Sequence, residues 1–439
     1  MTESISSAST KQDISLYSPY SGYPHVLQTA SGTPLTVIID ATQVAAFQLL
    51  WGMSLVERNV RLVERLGAER IHLFVRPENQ QQVAQRRFPG LCEPVIHSVT
   101  TSPIGSMREL VQQAQGPVLL LEGLVVYDRR LISALWQHPA PSILCDQDSS
   151  GALLVDPESG ALLNGGEWGQ LVQNFLREES VFQLAPEELE THIASLRKFV
   201  QPKLIRVEDK VSLQRADDFL RDMAGKGIND LVAEFLHPPI EFFLTKAVAR
   251  TRITPNQVSY FNALLNIVAI PLIAFGWLWI GIACNLLRGV MDGVDGKLAR
   301  LTLRESKGGD RIDHVVDRLY LPLFFLALGW HLGGGNWLST PAIVSYVLQG
   351  FYWANRLLAS WFANLFGASS GDFRPIDRLV RRIWPKRNIC VWLLLISMVF
   401  DSPLLGLYAM LGLSAGMTLY RIIRIDCEGR RLQRERTAV

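Results

Sequence analysis

The chain of 439 residues is short of what several function classes require. Its 5 cysteines, at positions 92, 145, 284, 390 and 427, form no CxxC and no paired spacing. That excludes a zinc ribbon and a disulfide framework, and it suits a reducing compartment. The formal net charge is only +2, so there is no one-signed field to gather nucleic acid, and nucleic acid is not an expected partner. The first thirty residues lack the basic start and apolar core of a secretory signal, which leaves the N-terminal half in the cytoplasm. Residues 1–32 are polar and aperiodic and read as a disordered leader. In excess are apolar residues, 48% of the chain, a fraction that points to burial partly in lipid.

From Leu35 onward, short apolar runs alternate with helical stretches: Leu35 to Ile39, Met53 to Leu66, Ile71 to Val75, Val118 to Leu121, Arg129 to Trp136. Such alternation predicts a mostly parallel, Rossmann-like α/β domain over 33–200. Residues 201–254 read as a linker followed by amphipathic helices, with Phe235, Leu236, Ile240, Phe243 and Leu244 on one side, lying on a membrane surface.

After Pro255, six apolar segments can be drawn, over about 257–275, 277–292, 315–332, 342–362, 388–402 and 403–420. Charge placement checks that count independently. Lys297 to Arg311 fall between segments two and three, Arg374 to Arg387 between four and five, and Arg421 to Arg431 after six, whereas Gly276 and the turn from His331 to Asn336 carry no Lys or Arg. By the positive-inside rule this predicts an all-α six-helix membrane domain over 255–425 and a basic tail over 426–439. Both termini are then cytoplasmic, in an inner or cytoplasmic membrane. A soluble helical bundle would not need the alternation.

The run from Asp292 to Asp317 has the pattern D-x2-D-G-x2-A-R-x8-G-x3-D-x3-D, built from Asp292, Asp295, Gly296, Ala299, Arg300, Gly309, Asp313 and Asp317. At helical spacing Asp292, Asp295 and Ala299 share one face at the end of the second segment, and Asp313 and Asp317 share one on the third. Four carboxylates can then converge. Beside lipid, such a cluster needs compensation by divalent cations, and oxygen donors suit Mg²⁺ or Mn²⁺. Metal ions held by aspartates are what displacement at phosphorus uses. Gly296 and Gly309 let a nucleotide approach the backbone, and Arg300 offers a guanidinium for bidentate phosphate binding. Arg356 lies within the fourth apolar run, where it either faces the bundle interior as a contact to an anion or snorkels to the surface.

At these eight positions the sequence resembles the CDP-alcohol phosphotransferase family, and Ile253-Thr254-Pro255-Asn256-Gln257-Val258-Ser259 resembles that family's entry into its first membrane helix. The resemblance covers about 230–425. It implies that Asp292, Asp295 and Asp313 bind two divalent metals, that Asp317 also faces them and acts as general base, and that the pyrophosphate of a CDP-alcohol lies near Arg300. A lipid or polyol-phosphate acceptor would attack the β-phosphorus and CMP would leave. A homodimer among membrane lipids is also implied.

Leu49 to Val75 and Gly116 to Leu135 resemble sugar-phosphate nucleotidyltransferases, a family sometimes fused to the first. The Gly-rich loop with its Arg that should follow the first strand is missing from Ile38-Ile39-Asp40-Ala41-Thr42-Gln43, and Glu122 stands where a metal-binding Asp is expected. Few backbone N–H groups are then available to cradle a triphosphate, so the domain reads as a degenerate relative. The alternatives are an active cytidylyltransferase, which would make the chain bifunctional, and, in another class, a membrane scaffold with a nucleotide-binding domain. Prenyltransferases also use aspartates and Mg²⁺, but on well-separated motifs, and here the acids are contiguous.

Overall fold

A computed structural model describes residues 35–85, 92–146, 149–193, 195–227, 229–304, 307–371 and 373–437, and of residues 82, 84, 85, 149, 150, 307–317 and 435–437 it describes the backbone alone. The leader expected over 1–32 lies outside the described residues. The chain divides into two compact units between Met223 and Ala224, each with its own apolar core.

The first unit is an α/β sheet. Its strands are β1 (Leu35–Ala41), β2 (Ala68–Val75), β3 (Val95–Ser98), β4 (Val118–Glu122), β5 (Val125–Tyr127), β6 (Ser142–Asp146), β7 (Ser149–Val155), β8 (Phe182–Leu184) and β9 (Leu204–Arg206). Seven of them pair in the order β8-β6-β7-β4-β1-β2-β3. β1 pairs parallel with β2 and β4, β2 with β3 and β6 with β8, while β7 runs antiparallel between β4 and β6. The central strands, LTVIIDA and VLLLE, are near-continuous apolar runs because both faces are covered. Helices α1 (Leu55–Arg65), α2 (Pro77–Gln85), α3 (Ile104–Gln112), α4 (Arg129–Gln137) and α5 (Trp168–Arg177) connect them. Ser54 and Asp128 cap α1 and α4, accepting from Glu57 N at 3.2 Å and Arg130 N at 2.9 Å.

Where the sequence suggests a linker from 201, β9 instead pairs antiparallel with β5, Leu204 opposite Tyr127 and Arg206 opposite Val125. α6 (Lys210–Ala224) then runs to the division between the units. A three-residue strand leaves no periodicity to read, and its partner is far away in sequence.

The second unit is helical: α7 (Leu231–Phe235), α8 (His237–Ala249), α9 (Pro255–Ala274), α10 (Leu278–Leu301), α11 (Lys307–Leu332), α12 (Thr340–Phe366), α13 (Pro375–Arg382), α14 (Arg387–Val399) and α15 (Pro403–Thr437). Helices cover each of the six apolar segments. Among the described residues, α9 and the stretch Pro403–Arg434 are long and apolar enough to cross a membrane, and Arg318–Leu332 and Arg387–Val399 are shorter apolar stretches. The capping box in ITPNQVS starts α9: Thr254 Oγ1 accepts from Gln257 N at 3.3 Å, and Gln257 Oε1 from Thr254 N at 2.9 Å.

Beside its apolar core, the unit buries polar side chains and exposes large apolar ones. Asn262, Asn266, Asn285, Arg288 and Asn355 are buried, while Leu264, Ile267, Trp279, Ile280, Leu287 and Leu357 are exposed. α8 repeats the inversion, burying His237, Glu241 and Thr245 and exposing Phe235, Leu236, Ile240 and Phe243 beside it. In water so much exposed apolar surface would be unfavourable. Gly276, at φ 89°, makes the tight turn from α9 to α10 that a side chain would resist.

Close approach of α9 and α10 depends on Gly281, where a Cβ would stand 2.7 Å from Ile273 Cγ1. Gly281→Val is expected to destabilise the protein by about 1–3 kcal/mol, and Ile273→Ala in the same chain should recover part of the loss. Thermal unfolding in detergent measures both, and an unshifted Gly281→Val midpoint would contradict this packing.

Candidate active site

The last turns of α10 carry Asp292, Asp295, Gly296, Ala299 and Arg300. The structure brings Asp292 and Asp295 to one face, and neighbouring helices supply partners the sequence did not reveal. From α9, Ser259 Oγ donates to Asp295 Oδ2 at 2.9 Å and Asn262 Nδ2 donates to the same oxygen at 3.4 Å. From α14, Arg387 Nη2 donates to Asp292 Oδ2 at 3.3 Å. Beyond the end of the second apolar segment, burial and then the Asp292 charge push the Asp295 carboxyl up to about 7. The guanidinium of Arg300 lies against Gly296, where a Cβ would be 3.1 Å from Nη2. Any larger residue at 296 would displace it.

Positions 309, 313 and 317 lie on the backbone of α11, but the side chains of Asp313 and Asp317 lie outside the described residues, and the expected convergence of four carboxylates lies there too. Among the described residues, no group of three or more His, Cys, Asp or Glu is placed to hold a metal. The described part nevertheless suits one. Two carboxylates on one face, with one carboxyl pushed up by burial and its neighbour's charge, call for added positive charge, and oxygen donors match Mg²⁺ or Mn²⁺.

Behind this face α8 braces α10. Glu241 and Lys297, both buried, form an ion pair, and His237 Nδ1 lies 3.6 Å from Glu241 Oε1. Gly293 makes room for that carboxylate, since a Cβ there would stand 2.0 Å from its Oε1. The i, i+4, i+8 spacing of His237, Glu241 and Thr245 was the sequence signal for this polar face, just as Ser259, Asn262 and Asn266 in an apolar run marked the α9 face. Of the neighbouring pair on α12, Asn355 is buried and donates to Thr418 Oγ1 at 2.7 Å, whereas Arg356 is exposed and its Nη1 donates to Tyr352 OH at 3.3 Å. That favours the surface alternative for Arg356.

In the first unit, the carboxylate ends of β1 and β4 are occupied by internal partners. Asp40 Oδ1 accepts from Thr42 N at 3.0 Å and Thr42 Oγ1 at 2.7 Å, and burial raises its pKa above the usual range. Glu122, 1% exposed, receives Arg206 Nε at 3.0 Å and Nη2 at 2.9 Å. A guanidinium from β9 thus stands on the carboxylate that the resemblance would assign to a metal.

Comparison with known proteins gives the family of this helical part. Residues 252–365 match the CDP-alcohol phosphatidyltransferase family, so the C-terminal part of the chain carries a domain of that family. The chain is 26% identical over 236 residues to the bifunctional IPC transferase and DIPP synthase of Aquifex aeolicus (strain VF5), covering 51% of this chain and 53% of that one. It thus spans about half the length of that relative. Among solved structures, phosphatidylinositol phosphate synthase of Mycobacterium tuberculosis with CDP-DAG bound is 18% identical, covering 42% of this chain and 92% of that one at a TM-score of 0.33. The 4-diphosphocytidyl-2C-methyl-D-erythritol synthase of Anaerococcus prevotii DSM 20548 is 15% identical, covering 44% and 97% at 0.29.

Removing one partner of a buried pair leaves the other charge uncompensated. Arg206→Met should therefore destabilise the first unit by about 2–4 kcal/mol, and adding Glu122→Gln should restore more than half. Denaturant unfolding of the full chain checks this; equal loss in the single and double variants would mean the pair is not what holds β9.

Proposed function

We propose that the chain is an integral membrane phosphotransferase that moves a substituted phosphate from a CDP-alcohol to an acceptor hydroxyl and releases CMP, in phospholipid or polar-lipid synthesis. The observation that carries this is the run from Asp292 to Asp317, which lies inside the matched segment, with Asp292 to Arg300 on α10 and positions 309, 313 and 317 on the backbone of α11. Asp292, Asp295, Asp313 and Asp317 would hold two divalent cations, Mg²⁺ or Mn²⁺, which when bound neutralise phosphate oxygens and stabilise the leaving group. Ser259 and Asn262 fix the Asp295 carboxylate by hydrogen bonds, and Arg387 balances Asp292. Arg300 takes a pyrophosphate oxygen pair above Gly296, and Ala299 and Gly309 leave room for the nucleotide. Asp317 accepts the proton of the acceptor hydroxyl as its oxygen bonds to the β-phosphorus. The bond from that phosphorus to the bridging oxygen then breaks, and CMP departs with the electron pair.

The large apolar side chains exposed on these helices and the alternating charges support six crossings with both termini in the cytoplasm. The acceptor is a lipid or polyol phosphate, and the working form is a homodimer. In residues 33–200 the occupied Glu122 and the absent glycine loop favour a degenerate nucleotidyltransferase domain. The bifunctional reading is favoured by the name of the Aquifex relative. Release of pyrophosphate from CTP by the full chain, dependent on Mg²⁺ and a polyol phosphate, decides for it, and no release decides for the degenerate domain.

Two outcomes are expected. Asp292→Asn, Asp295→Asn, Asp313→Asn and Asp317→Asn should each lower CMP release at least about 100-fold, and Ser259→Ala about 10-fold, with the protein still folded in detergent. Near wild-type turnover in two of the four aspartate variants removes the two-metal reading. Cysteine tags at Gly334 and Asp401 should react only from the non-cytoplasmic side and a tag at Arg378 only from the cytoplasm; labelling of Arg378 from outside would put the site on the wrong face.

A further inference from the structure

Two contacts set the register of the antiparallel helices α9 and α10: Ser259 reaches Asp295, and Ile273 lies against Gly281. Midway between them stand Asn266 on α9 and Arg288 on α10, a polar layer two turns deeper into the bundle than Asp295. Both are almost wholly inaccessible, at 2% and 1% exposure. The Arg288 guanidinium lies 5.7 Å from the ring centre of Tyr320, whose hydroxyl donates to Asn285 on α10.

Asn266 is the anomaly in this layer. Among the described residues neither its Nδ2 nor its Oδ1 has a hydrogen-bond partner, so exchanging the two atoms does not resolve it. One turn nearer the carboxylates, Asn262 donates through Nδ2 to Asp295, and its Oδ1 has no partner. Its orientation is fixed, since the opposite one would set an oxygen against a carboxylate. Among the described residues, the two asparagines therefore offer one orphaned donor and two orphaned acceptors, and a buried group is left unmet only at a cost.

The kind of demand selects the ligand. A phosphate or ester oxygen only accepts, so it could satisfy Asn266 Nδ2 and would leave both amide oxygens unmet. A hydroxyl both donates and accepts. Resting on the phosphotransferase reading, we infer that Asn262 and Asn266 form the recognition site for the non-reacting hydroxyls of the acceptor, which is a polyol. The Asp295 hydrogen bond ties this site to the carboxylate face. A polyol held there presents its remaining hydroxyl to the donor phosphorus, and an acceptor with a single hydroxyl gains nothing from Asn266.

The test uses the purified full chain in detergent with Mn²⁺, CDP-diacylglycerol as donor, and three acceptors: myo-inositol 1-phosphate, glycerol 3-phosphate and 2-hydroxyethyl phosphate. CMP release gives kcat and KM, and calorimetry with CDP and Mn²⁺ reports the donor site separately. For Asn266→Ala, KM for the two polyol phosphates should rise about tenfold, the value for 2-hydroxyethyl phosphate should change less than twofold, and CDP binding should not change. Asn266→Ser, which keeps a donor and an acceptor, should recover much of the loss; if Asn266→Ala does not fold, Asn266→Leu, which keeps the volume and removes both polar atoms, is the test variant and should show the same selective rise.

Equal KM changes for all three acceptors would overturn the inference, as would a wild-type chain that binds CDP but transfers best to 2-hydroxyethyl phosphate or to none of the three. Those results leave the phosphotransferase reading standing. A wild-type chain that binds no CDP in the presence of Mn²⁺ defeats that reading itself, and this inference with it.

Discussion

The antiparallel packing of α9 on α10 is the constraint from which the rest of the helical unit follows. Gly281 lets the two backbones close together near the turn, and Ser259 and Asn262 meet Asp295 at the other end. With both ends pinned, Asn262 and Asn266 of α9 and Asn285 and Arg288 of α10 are buried, while Leu264, Ile267, Trp279 and Leu287 remain exposed. A carboxylate pair could not be kept at this depth by helix propensity. It is held because hydrogen-bond donors from α9 and a guanidinium from α14 meet it, while the Glu241–Lys297 pair ties α8 to α10.

The residues of the candidate site on α10 were more legible in the sequence than their surroundings were. The spacing of Asp292, Asp295, Gly296, Ala299 and Arg300 is local to one helix, so a helical period alone places them on it. The six apolar segments are equally local, and helices cover all six. What the sequence could not show were partners brought by tertiary structure. Arg387 read as one charge in a topology signal, yet its guanidinium reaches Asp292. Ser259 read as part of a helix entry, yet its hydroxyl positions Asp295. Arg206 read as linker, yet it sits on Glu122 through a strand too short to leave a pattern. In each case the information lies in which helices or strands meet, not in any run of residues.

The two units handle buried carboxylates in opposite ways. In the first, Glu122 is paired with a guanidinium of the chain itself and needs no external cation. In the second, Asp292 and Asp295 keep like charge together with partial compensation, and the Asp295 carboxyl is pushed up to about 7. A carboxylate stabilised from within serves the fold, while one left under-compensated serves a ligand.

The central claim, that the α10 carboxylates hold divalent cations that receive a CDP-alcohol, is tested most directly by electron paramagnetic resonance of Mn²⁺ bound to the purified protein. The account predicts two Mn²⁺ per chain with a spin-coupled signal that changes when CDP is added and disappears in Asp295→Asn. Mn²⁺ that binds with no coupling, or a coupled signal that survives Asp295→Asn unchanged, would contradict it.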